Sequence, residues 1–391
     1  AGTDAIGNDQ DGVTICKSDN NGLIGTTRNE SPFIYYNVVS GNGANGLRVN
    51  DSNNITVHAN FFGLGSDNAT IVANGGDGAR IEGTSNNIQY GGVIPLGNVN
   101  AGNQGNGINV TDQVSNFITF NTFAGLTAFA GIAPNQESGI RISSEGGDNR
   151  VRTNVMAGNE LHGLHITGNA KDIWVDPNII GLNTEGNEAT YTTDTGETLS
   201  WGNGGDGIRI EGQAQDILIA GQRRSVIRQN TTSNNEGFGI RILDTANRIT
   251  INNTFVGLSL NGRTNYGNNL GGIDVGAGVR NLKIGREKNQ RFGNQISANN
   301  GNGIQLSNPI GVELFNNTLK DNLGSGVLFE GGRKNTLIGN RSSDNQDFGF
   351  AINSATKTIS ARNRGVNNGQ GLFGYSSSTK AQNELSRPTT S

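Results

Sequence analysis

The chain has 391 residues, 32% of them hydrophobic, with 61 glycines, one cysteine and a net charge of −4. An apolar content this thin cannot fill a conventional globular core, the acidic balance gives nucleic-acid binding no support, and Cys16 alone excludes an internal disulfide or a zinc cluster. No apolar run approaches the roughly 18 residues that a membrane-spanning helix needs.

The chain begins with Ala1 rather than Met, from which a missing signal peptide or longer upstream segment is expected. One unit then recurs thirteen times: an Asn, three variable residues, a Gly, and a strand whose first and third residues are apolar. The Asn falls at Asn8, Asn42, Asn74, Asn103, Asn135, Asn159, Asn203, Asn235, Asn268, Asn299, Asn322, Asn345 and Asn367, with a Gly four residues on. Repetition at intervals of 22 to 44 residues is the signature of a solenoid, in which each short unit buries its apolar face only against its neighbours.

The pairs Val13/Ile15, Leu47/Val49, Ile108/Val110, Ile140/Ile142, Leu164/Ile166, Ile208/Ile210, Ile240/Ile242 and Ile273/Val275 alternate with period two, which predicts half-buried strands. The Gly before each is expected to supply a corner through positive φ, and the Asn a turn. A second strand follows, as in Asn54–Val57, Phe117–Phe120, Ile217–Ile219, Ile249–Ile251 and Thr336–Ile338. Coils between Gly46 and Gly139 are lengthened by insertions over 65–73 and 91–97. The coil after Gly163 carries the longest, over 183–201, with Tyr191, Trp201 and four carboxylates; it reads either as a functional loop or as surface decoration. From Gly303 the coils are bare, and residues 376–391 read as a polar C-terminal tail. No segment offers an amphipathic crossover helix, so the prediction is one elongated domain over 1–375: an all-β, right-handed parallel β-helix solenoid of about 13 coils.

The segments 37–42 (NVVSGN) and 294–299 (NQISAN), with Asn178–Leu182 and Thr254–Leu258, resemble the repeats of right-handed β-helix proteins of the pectin-lyase-like superfamily. The resemblance covers nearly the whole chain and implies architecture and a secreted or cell-surface setting, of the kind common in bacteria. Activity does not follow, because that solenoid serves lyases, hydrolases, epimerases, adhesins and tailspikes.

The residue between the two buried positions of each first strand points outward. Its register gives Thr14, Arg48, Arg80, Asn109, Arg141, His165, Arg209, Arg241, Asp274, Gln305, Leu328, Ala351 and Phe373. Like charges one coil apart, ~4.8 Å, repel by roughly 0.9 kcal/mol even in water, so a screen is expected. Glu82, Glu211, Asp51, Asp112 and Asp244 lie near enough in sequence to provide one. The alternative is that Arg48, Arg80, Arg141, His165, Arg209 and Arg241 form a binding track for an anionic polysaccharide, since guanidinium recognises carboxylate and sulfate bidentately. Towards the C-terminus the file turns apolar at Leu328, Ala351 and Phe373, with Tyr375 beside it, implying a covered contact.

For polysaccharide lysis the place to look is Arg141, His165 and Arg209, with His162 nearby; for glycoside hydrolysis, carboxylate pairs among Asp77, Glu82, Asp206 and Glu211. The signatures of polygalacturonase-like hydrolases and of alginate epimerases are missing. Segments 75–80 (GGDGAR) and 204–209 (GGDGIR) are similar to calcium-binding nonapeptides but carry Arg where a ligand Asp is required. No cofactor is predicted, although calcium on loop carboxylates stays open. The expected function is an extracellular structural or adhesive solenoid, in contact with glycan along the Arg file and assembling end to end through its open edges. The alternative is a secreted lyase or hydrolase of an acidic polysaccharide.

Overall fold

The computed structural model describes residues 7–27, 34–93, 97–128, 131–193, 195–220, 230–287, 293–355 and 357–375, so the tail expected over 376–391 lies outside the described residues. Two compact units divide the chain, Ala1–Gly205 and Asp206–Ser391, and both are built from one kind of coil. A representative coil passes through Ala79–Glu82, then Asn86–Tyr90, then Val99–Asn100, before Asn103 opens the next. Equivalent strands of successive coils pair in parallel and form three sheets. Among the described residues of both units these hold 13, 12 and 11 strands, and the protein is an all-β, right-handed parallel β-helix.

Alternation places the core as the sequence predicts. In the first sheet Leu47, Ala79, Ile108, Ile140 and Leu164 stand in register, as do Val49, Ile81, Val110, Ile142 and Ile166, all fully buried. The second sheet adds files such as Ile55, Ile88 and Phe117. Fully burying one such side chain is worth about 1.5–3 kcal/mol, and a thin stack of them suffices because every coil shares two neighbours.

The recurring Asn stands in the turn before the corner, and from Asn42 to Asn345 its side chain is buried. It points inward and is stacked. Within the first unit the Nδ2 of Asn42 donates to Asn74 Oδ1 at 2.8 Å, and Asn74 to Asn103, Asn103 to Asn135, Asn135 to Asn159 and Asn159 to Asn203 each at 2.9 Å. In the second unit the same ladder joins Asn235, Asn268, Asn299, Asn322, Asn345 and Asn368. A second ladder stands at the other end of the third sheet, through Asn37, Asn60 and Asn98, and through Asn294, Asn317, Asn340 and Asn363. The amide suits this place because it carries a donor and an acceptor on one planar group, so each turn satisfies the next inside a dry interior.

The corner glycines need correction as well. None of Gly46, Gly78, Gly107 and Gly139 adopts positive φ. What they lack is room: a Cβ on Gly78 would lie 2.7 Å from the carbonyl oxygen of Gly107 and 2.8 Å from the ladder nitrogen of Asn103. Left-handed backbone is instead carried at the turn between the first and second sheets by residues such as Asp51 (φ 47°), Asp112 (φ 57°) and Asp244 (φ 56°).

The third sheet has strands of two or three residues only, and its outer face is roofed by loops from alternate coils. Strands Asn60–Phe62, Phe123–Ala124, Ile179–Ile180 and Thr254–Val256 each run into a Gly at positive φ and then a Leu that opens a loop. The loop after Gly125 returns over the shorter neighbouring coil, where Gly102 N donates to Ala133 O at 2.9 Å. The 183–201 excursion follows this plan. Thr190–Thr192 and Thr198–Ser200 form a hairpin, and Trp201 is buried against Leu126, Val155 and Ala157, with Tyr191 4.7 Å away. Its two large aromatics therefore anchor the roof.

One register call is corrected. Ala351 pairs with Gly374, not Phe373, and the ladder residue of that coil is Asn368, not Asn367. Adjacent asparagines and Gly371 mimic the repeat one residue early, while Leu372 takes the corner. Phe373 consequently turns inward and stacks on Phe350 at 5.4 Å, with Tyr375 on Phe373 at 5.9 Å. Ala351 is buried, so the expected apolar outer patch is largely core.

Candidate functional site

The outward file of the first sheet exists in register through Ala351. In the first unit Thr14, Arg48, Arg80, Asn109, Arg141 and His165 are successive partners. In the second, Arg209, Arg241, Asp274, Gln305, Leu328 and Ala351 are. The sheet brings these side chains together because period two repeats unbroken at this strand, whatever the length of the insertions elsewhere in the coil.

Four of the five arginines are clamped. Arg48 Nε donates to Glu82 Oε1 and Arg80 Nε to Glu82 Oε2, each at 2.6 Å, so one carboxylate bridges two coils. Arg209 Nε meets Glu211 at 2.7 Å and its Nη1 meets Asp206 at 3.3 Å; Arg241 Nε meets Asp274 at 2.9 Å. Of the expected screens, Glu82 and Glu211 act. Asp51, Asp112 and Asp244 instead accept from the backbone N of Thr84, Gly83 and Gly212, holding turns together. The sequence reading missed Asp77 and Asp206 as partners of the arginines three residues on. Their signal was the Gly-Gly-Asp-Gly-x-Arg segment itself. Asp77 Oδ1 also accepts from the N of Asn106 and Asp206 Oδ1 from the N of Phe238, so these carboxylates are committed to the next coil.

Arg141 differs. Its Nη1 reaches only neutral partners, Asn109 Oδ1 and Ser143 Oγ, both at 3.2 Å, and among the described residues it makes no ion pair. Beside it stands His165, whose ring lies edge-on to His162 with centroids 5.2 Å apart. Except for Glu211, at 23%, the carboxylates of the file are withdrawn: side-chain exposure is 4% for Asp206, 7% for Asp77, 8% for Asp274 and 11% for Glu82, against 24–41% for the arginines they hold. What faces solvent is a row of oriented guanidinium edges. Among the described residues no group of three or more His, Cys, Asp or Glu is placed to hold a metal ion, and no helix is long and apolar enough to cross a membrane.

Burial pushes the carboxyls of Asp206 and Asp274 above their ordinary range, opposed by Arg241 in both cases and by the backbone N of Phe238 at Asp206. A group whose folded pKa is raised contributes stability that is fully present below its unfolded pKa and is lost as pH rises through the folded one. The advantage of the parent protein over Asp274→Asn is therefore expected to shrink as pH rises from about 3 to about 7. Thermal midpoints of both proteins across that range check it, and a gap that widens instead would mean that the Arg241 pair outweighs burial.

The right-handed β-helix region family model matches residues 217–389. No curated protein sequence matches the chain. Among solved structures, the A-module of mannuronan C-5 epimerase AlgE6 from Azotobacter vinelandii is 13% identical, over 98% of this chain and 88% of that one, with a TM-score of 0.44. A mutant of the periplasmic alginate epimerase AlgG is 12% identical over 81% of this chain and 74% of that one, with a TM-score of 0.42. A tailspike protein of Escherichia coli O157:H7 bacteriophage CAB120 is 12% identical over 84% and 37%, with a TM-score of 0.37. Likenesses of this size carry no argument about activity.

Proposed function

We propose that this right-handed parallel β-helix is an extracellular structural or adhesive solenoid that contacts glycan along the first-sheet file, with Arg141 and His165 at the centre of the contact in the first unit. The observation that carries the reading is the contrast between clamped and unclamped arginines. Arg48 and Arg80 are oriented by withdrawn carboxylates and can donate to sugar hydroxyls from fixed positions, at little cost in side-chain entropy. Arg141 keeps a guanidinium for an anionic substituent. Hydrolysis by two carboxylates fits poorly, because of the four candidate acids Asp77, Glu82 and Asp206 have little surface with which to reach a glycosidic oxygen and Glu211, 23% exposed, is paired with Arg209. End-to-end assembly belongs to the same proposal, since among the described residues Val13–Cys16 and Gly371–Tyr375 each have one neighbour in the sheet.

Electrophoresis through gels cast with acidic and neutral polysaccharides tests the contact. Arg141→Ala is expected to weaken retardation by an acidic polysaccharide about tenfold with an unchanged circular dichroism spectrum. Equal retardation of parent and variant would overturn the assignment. A second reading is favoured by one feature, the register of Arg141 with His165. A β-elimination lyase needs a cation on the uronate carboxylate and a base for the proton beside it, and these two residues supply both. Ultraviolet absorbance from an unsaturated product, lost in His165→Ala, would establish that reading in place of the first.

A further inference from the structure

The second sheet of the first unit carries a patch that the first-sheet file does not use. Outward positions of strands Asn149–Arg152 and Lys171–Val175 form three short columns. Arg150 pairs in register with Trp174, Asp148 and Asp172 stand one step before them, and Arg152 and Asp176 one step beyond. Trp174 is 44% exposed, and the Arg150 guanidinium lies 4.4 Å from its ring centroid. The guanidinium thus lies over part of the indole while the rest of the ring stays open to solvent.

Asp176 is half-buried, and burial raises its pKa against the pull of Arg152 and Arg150. Yet among the described residues its carboxylate makes no ion pair and accepts no hydrogen bond, and neither Arg150 nor Arg152 makes an ion pair. A partly desolvated acceptor and two donors are thus left open around an exposed aromatic ring. The patch sets two arginines against three aspartates, so it does not attract a polyanion.

We infer that Arg150, Arg152, Trp174 and Asp176 form a binding site for an uncharged pyranose unit of a glycan, separate from the first-sheet file. An uncharged sugar ring presents an apolar C–H face and a rim of hydroxyls. The face fits the free surface of the indole, and vicinal hydroxyls donate to Asp176 and accept from Arg150 and Arg152. The site stands without the glycan contact proposed at Arg141, because it uses another sheet and another charge balance.

The test uses the protein's own fluorescence. The chain has two tryptophans, and Trp201 is buried at 3% exposure, so quenching by acrylamide reports Trp174. Titration with cellohexaose, mannohexaose and maltohexaose is expected to protect the exposed indole with at least one of them. In calorimetry with that sugar, Trp174→Ala and Asp176→Asn should each weaken binding about tenfold or more. Trp174→Phe, which keeps a ring on the strand, should retain part of the affinity and guards against a folding defect. No protection by any of the three sugars, full affinity in Trp174→Ala, or protection by an acidic hexasaccharide alone would overturn the site.

Discussion

Replacing Asn103 by Ala should lower the stability of the protein by roughly 3 kcal/mol, although the residue touches nothing outside the coil interior. Asn103 has no exposed surface and makes contacts on three sides. Its Oδ1 accepts from Asn74, and its Nδ2 donates to Asn135 and to the carbonyl of Phe62. Alanine strands the Asn74 donor and removes one partner each from Asn135 and Phe62, and each buried group left short costs about 1–3 kcal/mol. Asn74 Nδ2 retains the Val39 carbonyl at 3.1 Å, and Asn135 Oδ1 retains the backbone N of Asn103 at 3.2 Å, which keeps the total from reaching the sum of three full penalties.

Asn103→Asp makes the sharper case. The shape is preserved, but a carboxylate has no donor to give Asn135 Oδ1 and carries charge into a dry column, so at neutral pH it should cost more than Ala. Its folded pKa must rise, and the penalty therefore grows with pH above the unfolded carboxyl value and is smallest in acid, where a protonated carboxyl can donate. Urea titrations followed by circular dichroism at two pH values measure both effects. A cost for Ala below about 1 kcal/mol would mean that the ladder is a consequence of coil stacking and not one of its causes.

Gly78→Ala is the second large effect. One methyl group at this corner would meet the Gly107 carbonyl at 2.7 Å, Asn103 Nδ2 at 2.8 Å and Asn100 Nδ2 at 2.9 Å. The first is backbone and the other two are committed to buried hydrogen bonds, so no flexible tip is available to yield. A loss of roughly 3 kcal/mol is expected, at the upper end of overpacking costs. Gly168→Ala separates this from backbone strain. Gly168 has φ 67°, but its Cβ would find only the Cβ of Ser143, at 3.8 Å, so its cost should stay near the roughly 1 kcal/mol of left-handed backbone. If the two variants lose equal stability, close approach is not what makes the corner glycine.

The second sheet and the first-sheet file were legible in the sequence because both depend on period-two alternation, which is local. Ile55, Ile88 and Phe117 are core for the same reason that Arg48, Arg80 and Arg141 face out. The third sheet was hidden, since strands such as Val99–Asn100 and Val155–Met156 are too short to show alternation. At the candidate site, the positions of the six proposed residues were readable and their state was not. Arg141 has Ser138 and Ser143 where Arg209 has Asp206 and Glu211, so the contrast was written in the sequence, but only the structure shows that one guanidinium is unclamped and the other sits between two carboxylates.

By itself, then, the sequence determined that this is a solenoid of parallel coils, where each corner but the last falls, and which face of each first strand but the last is wet. Only the tertiary structure decided that the Asn of the repeats from Asn42 to Asn345 is buried and bonded along the stack, and that the corner Gly is demanded by the neighbouring coil's carbonyl. It also decided that the charges of the file cancel in pairs except at Arg141. The physical reason is one of direction. Alternation runs along the chain and is written in adjacent residues, whereas ladder bonds and close approaches run across it, between residues that stacking brings to within a few ångströms from 23 to 44 positions away.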